Sequence, residues 1–483
     1  MKMVKSLLLG SAAGLVAVAG AQAADLPVKA KPVEYVKICT LYGEGYYYIP
    51  GSDTCIKLGG YIRADYGWNV AGGRTPAYSG TQGLQDRSVS QYSTRHRANV
   101  QIDTRTQTQY GTLRTFTSLH FQNEDGAFSQ NVARAFIQWA GFTFGHAQSF
   151  QDTWGITDSW HYAQQQNNSD TGANGVNQIA YTWDIGNGMT LTVGADEVRR
   201  KSLTNLTGAT IKLSAEPTSS FRGQEWPDAH IDFKVNQAWG YWATSFVAHD
   251  VSATYYGADS NTGHPNNRVG WAIETGAEFK LDVITQGDRI GFGVRYAEGA
   301  SGFGAGSNLS TLSLYGRTSL AGTVGSLAFG PMTDGVFTGT TAANGTQIEL
   351  TTTWTAMAGY EHNWTPNLKS SFTGGYTAVL YNATAKNYFL ANQCVAGRLG
   401  VGSAANCNPD SGFFQGGVRT QWSVAPGFYL GVDVFYVRAF TGFKGVSTIL
   451  PASGTRPAGT YLLDDEGTVG AIFRAQRAFN AGD

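Results

Sequence analysis

Residues 95–105 read Arg95-His96-Arg97-Ala98-Asn99-Val100-Gln101-Ile102-Asp103-Thr104-Arg105. Ala98, Val100 and Ile102 alternate with Arg95, Arg97, Asn99, Gln101, Asp103 and Arg105. Successive side chains of an extended strand point to opposite faces, so this stretch has one apolar face and one strongly charged face. The same period runs through 57–69. There Leu58, Ile62, Ala64, Tyr66 and Trp68 share one face, and Lys57, Tyr61, Arg63, Asp65 and Asn69 share the other. Two architectures satisfy such strands: a soluble sandwich with its apolar faces inside, or a membrane barrel with its apolar face on lipid and a wet interior. Alternation alone does not choose between them.

The N-terminus and the composition do. Lys2 and Lys5 precede an apolar run from Leu7 to Gly20, followed by Ala21-Gln22-Ala23. This is the pattern of a secretory signal peptide over 1–23, with cleavage expected after Ala23. The run is too short for a spanning helix, which needs ~20 residues. The mature chain is therefore expected beyond the inner membrane, in an oxidising compartment. The chain holds 62 glycines and 13% aromatic residues but only 14% charged residues, against ~25% charged in a typical soluble domain. Part of its surface must face something less polar than water. After the leader no segment approaches the ~18 consecutive apolar residues that a helical span requires, which leaves a closed β-barrel as the spanning solution. Without Lys2 and Lys5, the 34 basic residues fall to 32 against 35 acidic ones. A mature charge of about −3 argues against a nucleic-acid partner.

Two kinds of connection separate the predicted strands. Short ones carry turn formers at 109–111, 140–141, 186–188, 365–367 and 425–427. Long, polar, glycine-rich ones fall at 71–90, 123–132, 150–177, 199–228, 252–268, 299–346, 383–411 and 441–462. Their alternation matches short periplasmic turns and long outside loops. Eight long loops predict an all-β, antiparallel up-and-down barrel of about 16 strands over 57–479, with 18 also admitted by the soft boundaries. A barrel that wide encloses an aqueous channel. Residues 24–56 form a periplasmic-side segment, and 480–483 a short tail. Trp139, Trp183, Trp239, Trp364, Tyr360, Tyr429 and Tyr436 fall near strand ends, where amphipathic rings suit the headgroup zone. On the last strand Val469, Ala471, Phe473, Ala475 and Phe479 share the lipid side, with Arg474 and Gln476 on the other. A terminal aromatic of this kind suits recognition by barrel-assembly machinery in the outer membrane.

Local spacing predicts disulfides Cys39–Cys55 and Cys394–Cys407. Neither pair has CxxC spacing or a nearby histidine, so no metal and no cofactor is expected. The third long loop carries Asp152, Trp154, Asp158, Trp160, His161 and Asp170. Arg63, Arg95, Arg97, Arg105, Arg114 and Arg134 lie on the early strands, facing the lumen. Opposed rows of acid and base would make a transverse field that screens solutes by size and charge. We take Arg63, Arg95, Arg97, Arg114, Arg134, Asp152 and Asp158 as the candidate pore constriction. An enzyme is disfavoured, since no G-x-S-x-G or H-E-x-x-H motif occurs and Gly302-Phe303-Gly304-Ala305-Gly306 sits in the longest loop. An adhesin is permitted by the long loops. Phe116, Phe136 and Phe142 are read as inward-facing but make no convincing sugar slide.

Three stretches resemble one known family: 32–63 with Cys39 and Cys55, Arg134 to Gly145, and Phe473 to Phe479. They look like the porins of the alphaproteobacterial Rhizobiales. The resemblance implies a sixteen-stranded homotrimer in outer-membrane lipid and lipopolysaccharide, with the third loop folded into the lumen. It also implies passive passage of ions and small hydrophilic solutes. Asp152 and Asp158 would sit on the loop side of the constriction and the early arginines opposite. The residues after Phe479 depart from the family's usual ending.

Overall fold

The computed structural model describes residues 37–76, 79–80, 87, 89–153, 160–163, 175–199, 202–207, 220–306, 311–317, 321–396, 398–399, 406–453 and 456–479. The expected leader, residues 24–36, the tail 480–483, and Trp154, Asp158 and Asp170 lie outside them.

Sixteen long antiparallel strands form one closed sheet. They are β1 Cys55–Trp68, β2 Tyr92–Thr108, β3 Gly111–Glu124, β4 Ala127–Trp139, β5 Phe142–Ala147, β6 Val176–Gly186, β7 Met189–Asp196 and β8 Asp228–Gln237. The second half comprises β9 Gly240–Val251, β10 Arg268–Lys280, β11 Arg289–Glu298, β12 Thr352–Thr365, β13 Leu368–Leu380, β14 Ser411–Ala425, β15 Phe428–Phe440 and β16 Glu466–Phe479. Each strand pairs with the next in sequence, and β16 pairs with β1 from Gly60↔Phe479 to Trp68↔Ala471, which closes the barrel without a free edge. A two-residue strand, Tyr47–Tyr48, is appended to the start of β1. The Cys39–Cys55 disulfide, with Cα atoms 6.0 Å apart, staples this N-terminal segment to β1. Tyr46 is buried there beneath Arg105, whose guanidinium lies 5.1 Å from its ring centroid. Burial and a hydrogen bond to Asp103 push the Tyr46 hydroxyl up to about 12.

The predicted faces hold on β1, β2 and β16. Ile62 is 57% exposed and Asp65 fully buried, and Phe473 is 40% exposed beside buried Arg474. This is an inside-out pattern: apolar side chains stand on the outer surface and charged ones within. Trp139, Trp183, Trp239, Trp364 and Tyr436 are exposed on that outer surface. Three expectations need correction. The second long loop, 123–132, is a tight hairpin in which Asp125 and Gly126 both take positive φ, 50° and 89°. An Asp-Gly pair supplies that geometry and lets β3 and β4 run on through the supposed loop. Tyr429 belongs to no outer girdle, because the unbroken alternation of β15 sets it on the same face as Asp433 and Phe435, toward the lumen. There its ring stacks on Tyr162, with centroids 6.1 Å apart. Phe142 points outward, as it pairs with Trp139 across a two-residue turn and packs on Tyr181.

The sixth outside loop, 299–351, is also not the polar segment its glycines suggest. Residues Gly325–Pro331 and Gly335–Phe337 are buried throughout. Thr311–Gly316 and Gly325–Pro331 pair as a hairpin, which joins Gly459–Leu463 of the eighth loop. Leu312, Leu327, Phe329, Phe389, Phe443 and Tyr461 belong to one apolar cluster drawn from the sixth, seventh and eighth loops. The second disulfide, Cys394–Cys407, lies in the seventh loop with Cα atoms 6.1 Å apart. The outside loops thus share an apolar core with buried side chains of β13–β16 at one end of the barrel.

Candidate functional site in the lumen

The alternation that puts apolar groups on the outer surface of β1–β3 and β16 puts their charges on adjoining inner positions. Asp65 lies directly across from Arg95 on β2 and from Arg474 on β16. It accepts from Arg95 at 2.5 and 3.0 Å and from Arg474 Nε at 2.6 Å, with all three side chains buried. Two residues along, Arg63 stands opposite Arg97. Arg63 Nε donates to Gln476 at 2.6 Å, and Arg97 donates to Gln122 at 2.9 and 2.5 Å. Nearer the short turns, Asp103 takes hydrogen bonds from Arg105 and Arg114, and Arg114 also reaches Gln138 at 3.1 Å. Arg134 sits on the inner face of β4 and donates to the carbonyl of Ala133 at 2.8 Å. Five candidate arginines therefore line one wall.

The described parts of the third loop, 148–153 and 160–163, make contacts along the inner wall from β7 to β16. Ser149 donates to Asp196 at the end of β7, and the Tyr241 hydroxyl on β9 donates to the carbonyl of Thr153. Trp160 is fully buried beside Met357 on β12, where a Cβ at residue 359 would collide with its ring. Arg289 of β11 stacks on the same indole, 5.2 Å from its centroid. The loop then reaches β14–β16. Asp433 on β15 accepts from the backbone N–H groups of Tyr162 and Ala163 at 2.6 and 2.9 Å. Tyr162 donates to Gln421 at 3.1 Å and lies under the guanidinium of Arg474, 4.3 Å from its ring centroid. Gly431 makes room for it, since a Cβ there would overlap the tyrosine hydroxyl. Burial raises that hydroxyl's pKa.

Asp152 is placed differently from the expectation. It pairs with Arg199, just beyond β7, at 3.0 Å, with both side chains buried. Burial alone would lower the Arg199 pKa, but Asp152, Glu274 and Asp196 together raise it. Asp158 lies outside the described residues, so its side of the gap is not fixed by them. Several lumen charges escaped the sequence reading. Glu361 on β12 receives Arg289 at 2.6 Å, Arg419 at 2.5 Å and Lys369 at 3.2 Å. Asp196, Asp228 and Asp232 gather around His230 and His249 on β7–β9. The inward parity of each strand carried this signal, once strand starts were known to one residue. The wall of β1–β3 and β16 is thus rich in guanidinium, and the wall of β7–β9 in carboxylate.

A porin subfamily profile matches residues 25–470. The chain belongs to that family. A porin, Omp2b of Brucella neotomae, is 32% identical over 318 residues, covering 57% of this chain and 80% of the relative. Porin Omp2b of Brucella suis is 39% identical over 211 residues. That match covers 40% of this chain and spans about half the length of the relative, 52%. Among solved structures, the outer membrane channel DcaP of Acinetobacter baumannii superposes with a TM-score of 0.56 at 13% identity. It covers 89% of this porin and 99% of that chain, a likeness of fold. Family and barrel together place the protein in the Gram-negative outer membrane.

Proposed function

We propose that this porin is a passive diffusion channel for ions and small hydrophilic solutes rather than an enzyme, and that its charged lumen wall and third loop form the constriction. The observation that supports this reading most is the third loop. It leaves the end of β5, contacts β9, β12 and β14–β16 on its way across, and so narrows a barrel otherwise wide enough for an open channel. The charges around it, guanidinium on one wall and carboxylate on another, would orient a permeant in a low-dielectric gap.

The protein works as a homotrimer in this reading. The outer face of β2 and β3 mixes Ala98, Thr104, Thr106, Thr115 and Thr117 with exposed Val100 and Phe121, whereas β9–β11 carry Phe246, Trp271, Ile273, Phe292 and Tyr296. Small and hydroxylated side chains suit a neighbouring protein; bulky apolar ones suit lipid. The 1–23 leader is removed on export, and lipid, lipopolysaccharide and the barrel-assembly machinery are the expected partners.

The test is conductance in planar bilayers, where a trimer should insert in steps of three. Replacing Asp152 and Asp158 by Asn should move the reversal potential in a salt gradient toward anions, partly by freeing the charge of Arg199. Replacing Arg63 and Arg97 by Gln should move it toward cations. Unchanged reversal potentials in both variants would remove the charged constriction, and a purified protein that never conducts would remove the channel.

A further inference from the structure

Arg63 and Arg97 are direct cross-strand neighbours of like charge. Such pairs are destabilising unless something offsets their repulsion. For four other arginines of this wall the offset is present, as Arg95 and Arg474 share Asp65, and Arg105 and Arg114 share Asp103. Arg63 and Arg97 are held by the neutral amide oxygens of Gln476 and Gln122, and among the described residues no carboxylate pairs with either. These two positive charges are positioned but not neutralised.

One step along the same strands, a distance of ~7 Å for two residues, the wall turns aromatic. The ring of Tyr61 lies 4.6 Å beneath the Arg63 guanidinium and 6.4 Å from His120. Further on, Phe116 and Phe136 lie 5.4 Å apart under Arg114. Arg63 and Tyr61 are partly exposed, and Arg97, which hydrogen-bonds the Tyr61 hydroxyl, is buried. We propose that Arg63, Arg97 and Tyr61 form a transient binding site for aromatic carboxylates passing through the pore. The carboxylate takes the N–H groups of Arg63 that Gln476 leaves over, with the buried charge of Arg97 beside them, and the attached ring reaches the next rung against Tyr61. A simple anion makes the first contact and lacks the second. The proposal rests on the porin reading and names a solute class for it.

Benzoate is the probe, with cyclohexanecarboxylate matching its charge and size without a π face, and benzyl alcohol matching its ring without a charge. In a bilayer carrying potassium chloride current, benzoate should block open channels about three- to tenfold more strongly than cyclohexanecarboxylate. Benzyl alcohol should not block. The Arg63→Gln/Arg97→Gln variant should lose about tenfold in benzoate affinity, and Tyr61→Leu should lose only the preference for the aromatic acid. Equal block by the two acids, or undiminished block in the conducting double variant, overturns the proposal. Equilibrium dialysis of benzoate against the detergent-solubilised protein reads the same site without current. Binding without conductance would therefore sink the channel and keep the site, and conductance without the aromatic preference would do the reverse.

Discussion

The third and sixth outside loops are held by different balances of polar and apolar contact. The third loop docks through discrete polar anchors. Asp433 receives two of its backbone N–H groups, Ser149 reaches Asp196, and Asp152 pairs with Arg199. The sixth loop docks as a small apolar core, with Leu312, Leu327, Phe329 and Val336 fully buried. The third loop adds to these anchors two buried rings, Trp160 beside Met357 and Tyr162 in the large apolar cluster, so charge and burial act together there. A loop at the mouth packs against other loops and is fixed by apolar area. Loss of one polar anchor should therefore loosen the third loop locally, whereas loss of one core ring should loosen the outside loops together.

The largest effect is expected at Phe329. Its ring stacks on Phe443 at 6.1 Å, and Phe443 in turn packs on Phe389 of the seventh loop. Phe329→Ala should cost about 3–5 kcal/mol of local stability from the lost ring and the cavity left behind. Hydrogen exchange should speed up across the sixth, seventh and eighth loops while β1–β16 keep their protection. Faster exchange confined to the sixth loop would mean that the three loops do not share one core.

The polar counterpart is Asp433. Asp433→Ala leaves two loop N–H groups without an acceptor, a cost of about 2–3 kcal/mol for lost charge-assisted bonds. The amides of Tyr162 and Ala163 should exchange faster and open-channel current should become noisier. Asp433→Asn keeps an acceptor oxygen and should restore most of both. If the asparagine behaves like the alanine, charge rather than the acceptor holds the loop.

This contrast was only half legible in the sequence. The faces of β1 and β2 could be read because polar and apolar residues alternate without a break from Arg97 to Asp103. Parity failed where a turn resets it, at Phe142 after Ala140-Gly141, whereas Tyr429 obeys the plain period of its own strand, which puts it on the face opposite Tyr436. The Asp125-Gly126 hairpin was hidden because polar residues flank it on both faces. In the sixth loop the alternation of Leu312, Leu314, Leu327 and Phe329 is present, but surrounding glycines masked it as loop. The arginine row was readable from strand period alone. Partners brought together only by the chain's return were not: Arg199 lies 47 residues from Asp152, and Asp433 lies 271 from Tyr162.

The smallest effect at neutral pH, and the sharpest test of how the sixth loop is latched, concerns its one buried acid hub. Asp334 accepts from the backbone N–H of Ser202 at 3.0 Å and from the N–H and hydroxyl of Ser301 at 2.9 and 2.7 Å. His249 Nε2 lies 3.6 Å away. Burial alone would raise this carboxyl, but the His249 contact and the donors from Ser202 and Ser301 outweigh it and hold its pKa below the ordinary value. A depressed carboxylate means that the opened loop binds more protons than the closed one. Its contribution is complete above the ordinary carboxylate value of about 3.9 and is lost as pH falls through the lower, folded value. Exchange of the amides in Gly325–Pro331 and Gly335–Phe337 should therefore stay flat from pH 7 to 5, after correction for intrinsic rates, and rise only below about 4. Asp334→Asn should remove that acid step and leave the loop slightly looser at neutral pH, since one acceptor becomes a donor. Opening between pH 5 and 7, or an acid step that persists in Asp334→Asn, would place the latch elsewhere and leave the apolar core as the sole restraint on the loop.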